Sequence, residues 1–149
     1  MELTPEIIKQ FIEKPFAFVE RMGLRAVKLE PGDIQLTVPL KGNENHIGSM
    51  YAGALFTIGE IPAGALFLTT FDIEKYYPIV KEMTISFQRP ATTDVSIEIK
   101  MSEQEIKRIT DEVERHNKAE FLLQGEIKNK NGETVAISKG VYQLRAHGT

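Results

Sequence analysis

The chain has 149 residues, with 18 Lys and Arg against 21 Asp and Glu for a formal net charge of -3, no Cys and three His. That length suits one domain, able to bury roughly two thirds of its surface on folding. The lack of Cys excludes disulfides, thiolate nucleophiles, Cys zinc sites and iron–sulfur clusters, while the mild acidity argues against a nucleic-acid partner, which needs a positive stripe.

Thr4-Pro5-Glu6 reads as an N-cap, a first helical residue and a first-turn acid, with Ile8, Phe11 and Ile12 following at helical spacing. The N-terminal ten residues carry charge where a secretory signal needs an apolar run, so the expected compartment is the cytoplasm. Pro15 interrupts this helix, and a short second piece runs through Phe18 to Met22 and stops at Gly23. A weak strand over Leu24 to Glu30 turns at Pro31-Gly32 into a clearer one. There Ile34, Leu36, Val38 and Leu40 alternate with Gln35, Thr37 and Pro39.

The segment between His46 and Asp72 holds a single charged residue, Glu60, with apolar and small residues on every side. A helix apolar all round belongs inside a domain or a membrane. The length suffices to span a bilayer, but Glu60, Pro62 and the glycines at 48, 53, 59 and 64 oppose that, so no membrane partner is expected. The small residues Ala52, Gly53, Ala54, Gly59, Ala63, Gly64 and Ala65 are expected to let strands approach closely.

Met83, Ile85 and Phe87 alternate with polar residues in a third strand, and Val95, Ile97, Ile99 and Met101 do so in a fourth. Ser102-Glu103-Gln104-Glu105 is a capping box opening a polar surface helix over about 102–117. On it Glu112 and His116 stand four apart, read as a solvated pair rather than metal ligands. A fifth strand contains Phe121, Leu123 and Ile127, and Asn131-Gly132 turns it into a last strand from Thr134 to Leu144. His147 is expected to lie in a disordered tail. The fold class is α+β, one domain over 1–149, with a curved antiparallel sheet around a buried helix.

Three segments carry a resemblance over nearly the whole chain: NHIGSMYAGALFTIGE from Asn45 to Glu60, MTISFQRPA from Met83 to Ala91, and the terminal AEFLLQGEIKNKNGETVAISKGVYQLR. In their order and spacing the chain resembles the hot-dog superfamily, in particular its small acyl-CoA thioesterases of the phenylacetyl-CoA thioesterase type. The resemblance implies a sheet wrapped around the central helix, a homodimer formed edge to edge, often a dimer of dimers, and an acyl-CoA substrate. Coenzyme A then enters only as part of the substrate, with no cofactor and no metal. Those enzymes carry an Asn, a His-Gly-Gly turn and an acid about two helical turns on. Here Asn45 falls on the Asn, Gly53 on the second Gly and Glu60 on the catalytic acid, whereas Tyr51 stands at the His and Ala52 replaces the first Gly.

A thioester hydrolase must stabilise an oxyanion and activate water or supply a nucleophile. The amides at Ala52 and Gly53, at a helix N-terminus, suit the first task. Glu60 suits the second, but seven residues put it about 10 Å along the helix. The pair therefore fits a site shared between subunits. Asn45 is a candidate to orient water or the thioester oxygen, and otherwise a turn residue; Gly53 is otherwise a packing glycine. Thr57 is placed to hydrogen-bond Glu60, and Tyr51 to wall the pocket. Arg89 is read as a coenzyme A phosphate contact or a surface ion pair. Structurally, Glu60 would pair with Arg89, Lys81 or a backbone amide. Two alternatives stand beside the hydrolase. Hot-dog 3-hydroxyacyl-thioester dehydratases carry a His fourteen residues before a Glu, as His46 stands to Glu60, and a non-catalytic acyl-CoA-binding module would retain the pocket without turnover.

Overall fold

The computed structural model describes residues 2–149. Thr4 caps α1 (Pro5–Glu13), its hydroxyl accepting from the Ile7 amide at 3.3 Å, and Pro5 occupies the first turn, where its missing N–H leaves nothing unpaired. Past Pro15, the short α2 (Ala17–Met22) ends at Gly23 in the left-handed region, φ 72°. Then come β1 (Arg25–Glu30), β2 (Asp33–Val38), α3 (Ala52–Thr70), β3 (Tyr76–Phe87), β4 (Val95–Lys100), α4 (Glu103–His116), β5 (Lys118–Lys128) and β6 (Thr134–Ala146). All pairings are antiparallel, in the order β1-β2-β4-β5-β6-β3. α3 touches all six strands. This is the curved sheet around a central helix that the hot-dog resemblance implies.

Strand periodicity explains the burial. Along β5 the inward positions Ala119, Phe121, Leu123, Gly125 and Ile127 are buried and the residues alternating with them are exposed. Gly59 allows the sheet to approach α3: a Cβ there would lie 2.9 Å from the Ser138 Cβ. Gly53 and Gly64 do not serve that purpose, for the first faces the Tyr51 ring and the second faces open space.

α3 is less enclosed than its composition suggests. It is long and apolar enough to cross a membrane, yet it packs inside the sheet, with nine of its nineteen residues buried. Phe56 is exposed, and Thr57, Glu60, Ile61, Gly64 and Leu68 are half-buried. A six-stranded sheet does not close around the helix, and the stripe left over is covered only in part, by α1.

The two sheet edges differ. β1 is held by α1: the Glu13 carboxylate accepts from the Ala26 amide at 3.0 Å, and the Lys9 ammonium donates to the Ala26 carbonyl at 3.1 Å. β3 pairs with β6 alone and presents twelve residues of open edge, a liability unless something covers it. It begins at Tyr76 rather than near Met83, because an edge strand tolerates the Pro78 that argues against a central one. Phe87, expected on a buried face, is 52% exposed.

α4 is the expected surface helix. The Ser102 hydroxyl accepts from the Glu105 amide at 3.1 Å, and Ile109 and Val113 face the core. Glu112 pairs with Arg108 at 2.8 Å, and no cluster of three His, Asp or Glu residues suited to a metal occurs among the described residues. The tail is ordered, contrary to expectation: the His147 amide donates to the Lys75 carbonyl at 3.0 Å and its ring lies 5.3 Å from that of Tyr77.

Candidate active site

The N-terminus of α3 is set by a loop that binds itself together. Asn43 donates its side-chain amide to the carbonyls of Met22 and Pro39, at 2.9 and 2.8 Å, while its own carbonyl accepts from the Tyr51 amide at 2.8 Å. The Met50 amide donates to the carbonyl of Ala91, in the Arg-Pro-Ala turn after β3, at 2.8 Å. The Asn45 side-chain oxygen accepts from the amides of Ile47 and Ser49, and its nitrogen donates to the Ser49 hydroxyl. Asn45 thus organises the loop, with its oxygen already engaged. Asn43, which sequence reasoning passed over, anchors the same loop to β2 and α2. An Asn in a Gly-flanked loop is a common turn residue, so nothing in sequence separates the two.

Tyr51 is the N-cap of α3 and supplies no side-chain cap. Its carbonyl accepts from Ala54 and Leu55, so the amides of Ala52 and Gly53 have no partner among the described residues. The Tyr51 ring folds back over Gly53, where a Cβ would lie 2.6 Å from the ring. This explains the glycine: it accommodates the ring, which is exposed and does not line the cavity beside it, so Tyr51 does not form the expected pocket wall. A cavity of about 360 Å³ opens there, lined by Asn45, Ala52, Phe87 and Arg89 among others. Arg89 forms an ion pair with Glu133, the surface pairing anticipated as one of its two readings. His46 is exposed in the same loop and forms no hydrogen bond or ion pair with Glu60 among the described residues.

Glu60 lies elsewhere on the molecule. Its expected partners are taken, Arg89 by Glu133 and Lys81 by Glu120 at 3.7 Å. Thr57 does not reach it: the hydroxyl donates to the Gly53 carbonyl at 2.8 Å, the usual recourse of a Thr inside a helix. Glu60 has no ion-pair partner among the described residues, and burial alone pushes its carboxyl above the ordinary 4.5. It lines a second cavity, of about 330 Å³, where every other lining residue is apolar.

Tyr142, not singled out from sequence, lies close enough to Glu60 to feel its charge but does not line the cleft. It sits on β6, 3% exposed, its hydroxyl 3.5 Å from the Met83 sulfur. Its ring lies across Gly140, where a Cβ would come within 2.3 Å of it. Burial and the nearby Glu60 charge push its hydroxyl up to about 12, so it stays a proton donor at any physiological pH. Strand parity places Tyr142 inside, but its approach to Glu60 depends on how β6 meets α3.

One chain therefore carries a carboxylate in an apolar cleft and, separately, a pair of free amides at a helix N-terminus. The first can take a proton from water or attack a carbonyl; the second can hold an oxyanion.

The same architecture occurs in solved structures. A protein of unknown function from Pseudomonas aeruginosa, described as a probable thioesterase, is 50% identical with a TM-score of 0.95, the match covering 99% of each chain. A protein of unknown function from Chlorobaculum tepidum is 21% identical over 94% of this chain and 93% of its own, TM-score 0.81. A thioesterase from Haemophilus influenzae is 14% identical over 100% of this chain and 97% of its own, TM-score 0.74, a likeness of fold. No curated protein matches the chain. The family model described as "Domain of unknown function (DUF4442)" matches residues 4–142, and the chain belongs to that family.

Proposed function

We propose that the protein hydrolyses acyl-CoA thioesters at sites shared by two copies of the chain, each joining Glu60 of one copy to the Ala52 and Gly53 amides of the other. The observation that supports this is the position of the two clefts relative to β3. Pro78, near the start of that strand, lines the Glu60 cleft, and Phe87, its last residue, lines the amide cleft. Two β3 strands paired antiparallel about a two-fold axis lie start against end. Such pairing sets each Glu60 cleft beside the partner's amide cleft, covers the open edge and continues the sheet across both copies. The probable-thioesterase description of the Pseudomonas aeruginosa neighbour supports the reaction class.

In this reading the thioester oxygen accepts from the Ala52 and Gly53 amides, aided by the positive end of the α3 dipole. Glu60 takes the proton of a water that attacks the carbonyl carbon. The tetrahedral intermediate collapses, the C–S bond breaks, and coenzyme A leaves as a thiolate that receives the proton. In the nucleophilic variant Glu60 attacks the carbon itself, the C–S bond breaks to leave a mixed anhydride, and water then hydrolyses that anhydride and supplies the proton for the thiolate. Apolar surroundings raise the basicity of Glu60 toward neutral pH, where a general base works best. Asn45 acts by holding the loop that aims the amides. Arg89, at the mouth of the amide cleft, exchanges Glu133 for a coenzyme A phosphate.

The test is hydrolysis of short, medium and aryl acyl-CoAs followed with a free-thiol reagent. Wild type turns over part of the panel and Glu60→Gln falls to background. Equal rates for the two remove Glu60 from the chemistry. Tight acyl-CoA binding by calorimetry without turnover by wild type makes the protein a binding module instead. Hydration of crotonyl-CoA that is lost in His46→Ala assigns the dehydratase reaction.

A further inference from the structure

The cleft around Glu60 continues away from the helix N-terminus, along α3 and beneath the turn between α1 and α2. Phe11 and Phe16, 48% and 62% exposed, flank it on one side, with Pro15 between them breaking the helix so that Phe16 can turn over the cleft. Ile61, Gly64 and Leu68 form its floor. Glu60, Gly64 and Leu68 follow at intervals of four and share one face of α3, and the run from the first to the last covers about 12 Å. Apart from Glu60, no lining residue carries a charge or a polar side chain.

Gly64 is the informative position. A glycine in the middle of a helix weakens it, so a structural reason is normally found in a close contact or a positive φ. Gly64 has neither: a Cβ there would meet nothing within 4 Å, and its φ is helical. Gly59, five residues earlier, shows the contrast, because there the sheet leaves no room. A side chain at Gly64 would project into the cleft that this residue lines.

We propose that this cleft is the acyl-chain pocket, that Gly64 sets its depth, and that the preferred substrate carries an unbranched apolar acyl group of medium length. The inference rests on the reading of Glu60 as the group that acts on the thioester, because that places the carbonyl at the charged end of the cleft. The chain then runs from Glu60 past Gly64 toward Leu68, under Phe11 and Phe16. A rigid polar or charged acyl group finds no partner on these walls and is disfavoured.

The experiment compares wild type, Gly64→Ala and Gly64→Leu in kcat/KM across saturated acyl-CoAs from acetyl to palmitoyl, with Glu60→Gln as the control for the chemistry. A Cβ at Gly64 meets no atom within 4 Å, so both Gly64 substitutions start into the open space of the cleft. The expected result is acetyl-CoA turnover within about twofold of wild type and a fall of at least about tenfold for the longer chains, with Gly64→Ala between. A uniform fall at all lengths, or no change at any, overturns the assignment of the cleft. Loss of the wild-type assembly on size exclusion in Gly64→Leu overturns it too, by making the cleft a contact between copies. If Glu60→Gln keeps full activity, the catalytic reading fails, and the pocket is then judged separately by calorimetric binding of the non-hydrolysable thioether S-decyl-coenzyme A. Weaker binding to Gly64→Leu than to wild type supports the pocket, and equal binding refutes it.

Discussion

Ala52→Pro removes one of the two free amides without disturbing the helix that presents it. Ala52 is the first residue of α3 and is exposed, so a ring at that position meets no packed neighbour. Proline is favoured at a first helical position because the lost N–H has no partner there. The preceding residue must be extended, and Tyr51 already is, at φ −59° and ψ 137°. The variant should fold as wild type does and lose about 10²–10³ in kcat, the usual cost of one oxyanion donor. Glu60→Gln should lose about 10²–10⁴, the range for a general base. Each dead variant keeps the half that the other lacks. If the chain pairs as proposed, the two variants co-expressed in equal amounts with different tags form half mixed dimers. In every mixed dimer one site is intact and the other doubly damaged, so about one quarter of wild-type activity returns. If both halves of the site came from one chain, every site in the mixture would carry a defect and nothing would return. Absence of recovery in a preparation shown by tag pull-down to contain mixed dimers therefore refutes the shared site, and Ala52→Pro with full activity refutes the oxyanion assignment by itself.

Glu60→Gln should also gain stability while it loses activity, because burial holds the native carboxyl above 4.5 and no cation compensates it. The native state then binds more protons than the unfolded one as pH rises from 4.5 to the raised value, and wild type loses stability across that window and stays lower above it. Denaturant melts should show the variant more stable at neutral pH and level with wild type below 4.5; a less stable variant at pH 7 makes Glu60 structural. Tyr142 should ionise at about 12 in an ultraviolet titration, with a lower midpoint in Glu60→Gln, where the opposing charge is gone. A midpoint unmoved by that substitution separates the two groups. Gly64→Ala should raise unfolding stability by about 0.5–1 kcal/mol, since it adds a better helix former in open space. Gly59→Ala should offset the same gain by crowding Ser138, at a cost of about 1–3 kcal/mol. If both substitutions stabilise equally, the contrast drawn between the two glycines is wrong.

The strand alternations, the capping box at Ser102 and the N-cap at Thr4 were legible in the sequence, because each depends on residues within a turn or two of one another. The segments that misled are those whose fate depends on a distant element. Tyr76 to Lys81 carries Pro78 and no clean alternation, and it becomes a strand only because β6 supplies a partner and the other side is an edge. α3 reads as buried on every side, yet an open sheet leaves one stripe uncovered, and that stripe holds Glu60. His147 has no local reason to be ordered; the carbonyls of Lys75 and Ile73 hold it. Thr57 misled in the opposite sense. One turn from Glu60 in sequence, it is satisfied by a carbonyl one turn behind it.

The proposed site rests first on a spacing in the sequence. Seven residues of helix separate Gly53 from Glu60, about 10 Å, too far for one carbonyl to touch both. Within a single chain that interval looks like a failure of the assignment, and the structure sharpens the difficulty by opening the two groups into different clefts. In the proposed dimer the difficulty is removed at the open edge of the sheet. Of the two sheet edges, α1 closes the one at β1, with Glu13 and Lys9 on the backbone of Ala26. The other edge is left open, and its strand runs from one cleft to the other. On the proposed pairing, covering that edge with a second copy and bringing carboxylate to amide are a single structural event. A variant that blocks β3 pairing should therefore lose activity and assembly together, even though neither Glu60 nor Ala52 has been touched.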